Sequence, residues 1–121
     1  MLAPFVVVID TREQAPYSFS AIAPAGAKAN TIYLPRTQVG TLHTGDYSIL
    51  GMEDLFAVER KSKEDLFACC GRDRPRFEEQ VRRLNDLPSA HLVVESGWAG
   101  IAQGCPRSKM LPMAVYRTIV S

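Results

Sequence analysis

The chain is expected to fold as an α/β sandwich in which a central mixed β-sheet is flanked by helices. Three observations lead there. Phe5, Val6, Val7, Val8 and Ile9 form an unbroken apolar run that stops abruptly at Asp10. Residues 47–50 and 56–58 read as the arms of a hairpin. Two capped helical stretches then lead into a second apolar run at residues 90–95. Strand, loop, hairpin, helix, helix, strand, helix is the element order of an α/β domain built on one sheet. At 121 residues the chain is one domain with one core. A hydrophobic content of 46% with 22% charged residues is ordinary for a soluble globular protein.

Each element has its own signal. The first run is rich in β-branched residues and lacks polar alternation, as in a strand covered on both faces. No positively charged leader precedes it, so it reads as the first strand and not as a signal peptide. Residues 15–30 hold three Pro or Gly residues and many Ala. They read as a loop, with a short helix left open. A second extended stretch is expected within residues 31–42. In the hairpin, Gly51-Met52-Glu53-Asp54 forms the connection. Ser62-Lys63-Glu64-Asp65 is a capping-box-like start, with Ser62 as N-cap and an acid three residues on. That helix should stop near Gly71. Pro75 sits in the first turn of the next helix. Phe77, Val81 and Leu84 give that helix an apolar stripe, and Pro88 closes it. After the strand at 90–95, a loop with Gly104-Cys105-Pro106 leads to a last helix from about Leu111. Nothing near Ser121 resembles a cap, so the parent domain is expected to continue past it. Repeats and low-complexity linkers are absent.

Composition excludes several classes. No run approaches the ~18 apolar residues that span a bilayer. Three cysteines, two of them adjacent (Cys69, Cys70) and one apart (Cys105), make neither a disulfide framework nor a C-x-x-C pair. They read as reduced thiols of a cytoplasmic protein, or a nuclear one if the source is eukaryotic. A net charge of +1 neither demands nor forbids nucleic acid. The local distribution is less neutral, since eight of the 14 basic residues lie between Arg60 and Arg83. His43 and His91 have no serine or cysteine partner suggesting a nucleophilic triad.

The chemistry concentrates on the hairpin. With the turn centred on Met52-Glu53, Asp46 falls directly opposite Glu59. Opposed side chains on one face have Cβ atoms about 5 Å apart, close enough for both carboxylates to hold one divalent ion. Side chains alternate along a strand, so Lys61 shares the face of Glu59 while Arg60 points away. A slip of one residue would place the two acids on opposite faces. Asp10, at the end of the first strand, adds a third acid. Three clustered acids repel unless a cation neutralises them, and hard oxygen ligands suit Mg²⁺ or Mn²⁺. Such an ion polarises a phosphate and acidifies a water, with Lys61 orienting that water or neutralising the charge that builds up. A lone acid here would read as a solvated strand end. Two acids and a lysine on paired strands, with a third acid beside them, read as a site.

Three segments carry a family likeness: Val8-Ile9-Asp10-Thr11-Arg12-Glu13, Thr44-Gly45-Asp46-Tyr47, and Val58-Glu59-Arg60-Lys61-Ser62-Lys63-Glu64-Asp65-Leu66. Together they resemble the nuclease domain of the XPF/Mus-type structure-specific endonucleases, marked by GDY followed by ERKxxxD, within the PD-(D/E)XK superfamily. The likeness runs from residue 6 to about 119. Residues 10–19 are similar to the compact bacterial and phage versions.

The resemblance implies a restriction-endonuclease-like fold and hydrolysis of DNA at branched, forked or flap structures, as in repair and recombination. It makes Asp10, Asp46 and Glu59 metal ligands, with the Arg60 backbone carbonyl a further one, and Lys61 the catalytic lysine. Arg12, Glu13 and Asp65 match supporting positions, and Arg12 is also placed to reach a phosphate. In such a nuclease Arg72, Arg74 and Arg76 would contact DNA phosphates. Family members dimerise, or bind a partner subunit, through the end of this domain, which is expected to be missing here. A tandem helix-hairpin-helix module, which family members carry after this domain, is not expected within these residues. Two other readings stay open: a non-catalytic DNA-binding or scaffold module, and a mobile-element nuclease acting on unbranched duplex. Elsewhere, Gly45 is expected to permit an unusual backbone or a close approach, and Tyr47 to pack behind the site. His43 is expected as an exposed strand residue and Trp98 as a half-buried one.

Overall fold

The computed structural model describes residues 2–19, 21, 23 and 32–120. Five strands form one mixed sheet in the order β2-β1-β3-β4-β5. The expected α/β architecture with a central mixed sheet is the one observed.

Strand β1 (Leu2–Asp10) extends the predicted apolar run towards the N-terminus. It pairs in parallel with β2 (Leu34–Gly40) and antiparallel with β3 (Tyr47–Ile49). Val7, Val8 and Ile9 are all buried, so both faces of the strand are covered there and polar alternation is absent. The β1–β2 register shifts between Leu2 and Val6. Pro4 lies within that interval and has no N–H to donate to a ladder. The short helix left open within residues 15–30 is not seen at 15–19, 21 and 23, which are irregular. Residues 20, 22 and 24–30 lie outside the described residues.

Strand β4 (Phe56–Lys61) pairs antiparallel with β3, Tyr47 opposite Val58. This is the register that a turn centred on Met52-Glu53 requires. The connection is slightly longer than expected, and the Leu55 and Phe56 N–H groups both donate to Met52 O within it. Helix α1 (Lys63–Cys70) starts at Ser62, whose hydroxyl accepts the Asp65 N–H at 3.1 Å, and ends at Gly71. Helix α2 (Arg74–Asn85) carries Pro75 in its first turn and turns Phe77 and Leu84 inward. Strand β5 (Ser89–Val94) then lies parallel to β4 at the sheet edge.

A short helix, α3 (Trp98–Ala102), precedes the last helix, α4 (Pro112–Val120), and was not expected. Five residues are too few to show a periodic stripe, and a helix this short is held by tertiary contact. Here Ile101 supplies it, joining Leu66, Phe67, Cys70 and Val115 in the core of the helical layer. Each fully buried side chain of this size contributes roughly 1.5–3 kcal/mol. A second cluster (Val7, Ile9 and Tyr47 with Phe5, Phe19 and Val58) lies against the 17–19 segment. The three cysteines are free thiols, and burial pushes the Cys69 and Cys70 thiols up. Among the described residues no helix is long and apolar enough to cross a membrane.

Candidate active site

The end of β1, the start of β3 and the end of β4 meet beside α2 and enclose a cleft of about 450 Å³. Asp10, Asp46, Glu59 and Lys61 all line it, as do Arg12, Glu13 and Asp65. The structure thus brings together every side chain the sequence nominated for the chemistry.

Backbone pairing sets the two outer acids. The Asp10 N–H donates to Asp46 O at 2.9 Å, and the Asp46 N–H donates to Val58 O at 2.8 Å. Asp46 also fixes its own side chain, because Oδ2 accepts the Arg60 N–H at 2.8 Å. A carboxylate thereby replaces a ladder acceptor and is held beside Glu59. Gly45 makes this path possible in the way expected. Its φ is +82°, and a Cβ there would lie 2.9 Å from Ala57 Cβ and 3.1 Å from Val58 O.

Glu59 and Lys61 alternate with Arg60 along β4 and are both buried. Lys61 Nζ lies 3.1 Å from Glu59 Oε1 and donates to Gln80 Oε1 at 3.1 Å. Burial raises the Glu59 pKa, the nearby Asp46 carboxylate raises it further, and Lys61 opposes both without cancelling them. An acid whose folded pKa is raised stabilises the fold fully below its unfolded value. That contribution is lost as pH rises through the folded value. Glu59→Gln is therefore expected to raise the melting temperature of the metal-free protein at pH 7. The gain should shrink as pH falls into the ordinary carboxylate range. A gain that stayed constant with pH, followed by thermal melts, would contradict this account.

Asp10 is buried and differently engaged. Burial works to raise its pKa. The Arg12 hydrogen bond, followed by the Leu42 and Arg12 N–H groups, prevails, and the net shift is downward. Arg12 Nε lies 2.8 Å from Oδ2 and Nη2 3.3 Å from Oδ1, while the Leu42 N–H donates to Oδ1 at 2.9 Å. Among the described residues no group of three His, Cys, Asp or Glu side chains is arranged to hold a metal ion. The expected three-acid set is thus not assembled as one ligand cluster: Asp46 and Glu59 line the cleft together and the Asp46 charge acts on Glu59, while Asp10 is occupied by Arg12. The pair itself suits a divalent cation, since both donors are hard oxygens and their repulsion is what a cation relieves.

Arg60 points to the other sheet face, as alternation requires. Its guanidinium binds Glu95 (2.9 and 3.2 Å) and Ala15 O (2.6 Å), lies 3.7 Å from Glu13, and stacks 4.1 Å over the Tyr17 ring. Tyr47 packs behind the site as expected, stacked on Tyr17 with its hydroxyl accepting the Tyr17 N–H. Asp65 sits in the first turn of α1 at the cleft mouth.

The three arginines after α1 part company. Arg76 lines the cleft, and Arg72 borders a smaller adjoining cavity. Arg74 instead donates to Cys70 O and Thr118 Oγ1, tying α2 to α1 and α4, and pairs with Glu78. His43 is exposed on the cleft rim, on a loop and not on a strand. Trp98 is 56% exposed, more than expected, because Ile101 takes the core position of α3.

Sequence reading missed Gln80, Arg83 and Glu95. The first two had a signal: Arg76, Gln80 and Arg83 form a polar stripe at i, i+4, i+7, one residue behind the apolar one. Glu95 had none, because it meets Arg60 only through parallel β4–β5 pairing.

No curated protein and no solved structure is significantly similar to the chain. The ERCC4 domain family model matches residues 9–121, a span that includes the motif residues from Ile9 onward, the hairpin and every helix among the described residues. The chain therefore belongs to the ERCC4 domain family, the XPF/Mus nuclease domains of restriction-endonuclease-like fold that act on DNA.

Proposed function

We propose that the protein is a Mg²⁺- or Mn²⁺-dependent DNA endonuclease that hydrolyses phosphodiester bonds at branched, forked or flap DNA. The observation that carries this reading is the buried Glu59–Lys61 pair beside Asp46 at the floor of an open cleft. Asp46 and Glu59 would hold the ion, with Asp10 the third acid and the Arg60 carbonyl a further ligand. A bound divalent ion supplies Lewis-acid polarisation of a phosphoryl oxygen and an acidified water. Lys61, held by Glu59 and Gln80, keeps an ammonium on the cleft floor, where it neutralises charge developing on the phosphate. Arg76 and Arg83 on the rim would hold flanking phosphates without reading sequence. Preference for branched DNA rests on the family likeness. Association with a second copy or a partner subunit is supported by Trp98, Leu111, Met113 and Tyr116, all exposed on or beside α3 and α4.

The test is cleavage of labelled fork, flap, nicked and linear DNA in Mg²⁺, Mn²⁺ or EDTA, comparing wild type with Asp46→Asn. Metal-dependent cutting of forks and flaps, lost in the variant, is expected. Equal cutting of linear duplex would replace the branch preference with an enzyme of unbranched DNA. The Arg12-held Asp10 favours one other reading, a DNA-binding module without catalysis; it predicts binding to all four substrates and cutting of none.

A further inference from the structure

The Arg12–Asp10 contact has an asymmetry that a purely structural ion pair does not need. The Asp10 side chain is 3% exposed, and that of Arg12 is 71% exposed. The guanidinium reaches inward with Nε and Nη2 while most of it faces solvent over the cleft. Its other partner is the Leu42 carbonyl, accepting from Nη2 at 2.9 Å. Asp10 also accepts the Leu42 N–H, a main-chain donor, whereas Arg12 reaches it with a side chain. One partner is therefore fixed, and the other is free to be exchanged.

Two facts set the exchange. An exposed arginine at the mouth of a nuclease cleft meets phosphate oxygens, which match its planar fork as well as a carboxylate does. A carboxylate already accepting two arginine N–H groups presents less charge and fewer lone pairs to a cation. We propose that Arg12 is a positioning residue that masks Asp10 until DNA arrives: a backbone phosphate takes the guanidinium, Asp10 is released towards Asp46 and Glu59, and the three-acid set closes around the ion only on substrate. This rests on the metal-dependent reading above and adds an order of events to it. Metal and DNA then bind with positive coupling, and coupling between two sites acts equally in both directions.

The experiment measures Mn²⁺ binding by the loss of the free-ion paramagnetic resonance signal, with and without a phosphorothioate-protected forked duplex. Mn²⁺ taken up by the DNA alone is subtracted. For wild type the fork is expected to tighten Mn²⁺ by about tenfold, and Mn²⁺ to tighten the fork by the same factor in fluorescence anisotropy. Arg12→Gln should bind Mn²⁺ without DNA about as tightly as fork-saturated wild type, with the coupling reduced to under about twofold. It should also lower the slope of log affinity for DNA against log salt by about one charge. Arg12→Lys, which meets a phosphate but lacks the fork, should show intermediate coupling and provides the comparison if Arg12→Gln does not fold. Unchanged or weaker Mn²⁺ binding in Arg12→Gln, with coupling intact, would overturn the masking role and leave the metal reading standing. No Mn²⁺ uptake by any protein, with or without DNA, would overturn the metal reading and the masking role together.

Discussion

Lys61→Met is expected to lower metal-dependent DNA cleavage by about 10²–10³-fold, the usual loss when one preorganised electrostatic group is removed from a transition state. Methionine keeps the unbranched stem near the Phe77 ring, 5.9 Å from the native ammonium, so the change is chiefly one of charge. Glu59 and Gln80 lose their shared partner. Leaving buried polar groups unpaired costs about 1–3 kcal/mol. The upward shift of the Glu59 pKa works to limit that cost. Single-turnover cleavage at saturating enzyme separates the loss of chemistry from any loss of binding. DNA affinity should stay close to wild type, because Lys61 is buried and the rim arginines are untouched. Cleavage above about a tenth of the native rate would remove Lys61 from the chemistry.

Gly45→Ala is expected to be the most damaging small substitution in the domain. A left-handed backbone costs a residue with a Cβ about 1–2 kcal/mol. Overpacking against a rigid neighbour adds about 1–3 kcal/mol. Both apply here, since the new Cβ would meet the fully buried Ala57 and the Val58 carbonyl. A total of about 2–5 kcal/mol is a large part of the 5–15 kcal/mol that holds a typical domain together. Gly51 provides the internal control: its φ is +85°, yet nothing lies within 4 Å of its Cβ position. Gly51→Ala should therefore show the backbone penalty alone. Urea unfolding of both variants tests this, and equal destabilisation would show that the close approach at Gly45 is unimportant. Any folded Gly45→Ala protein should also lose activity, because the next residue is Asp46, whose N–H bonds to Val58 O.

Much of the fold was legible because its signals are local. The β-branched run of β1, the Ser62 cap, the Pro75 start and the Phe77–Leu84 stripe each act within a few residues, and each element appeared where its signal lay. The hairpin register belongs with them. A short turn fixes which residues oppose one another, and alternation then dictates which side chains share a face. Asp46, Glu59 and Lys61 could thus be placed together before any coordinates, with Arg60 set on the other face. The α3 helix was not legible, since its stability comes from one long-range contact through Ile101.

Sequence alone determined the domain class, the sheet's central hairpin and the identity of the acids and lysine that face the cleft, because periodicity and turn geometry carry that information along the chain. Tertiary structure decided which groups touch. Arg12 is two residues from Asp10, and Leu42, thirty residues from Arg12 and thirty-two from Asp10, supplies a further partner to both. Arg74 is withdrawn from the cleft by Cys70 and Thr118, and Gln80 is recruited to Lys61 by the packing of α2. Such choices depend on distances between elements remote in sequence, and no local pattern encodes those distances.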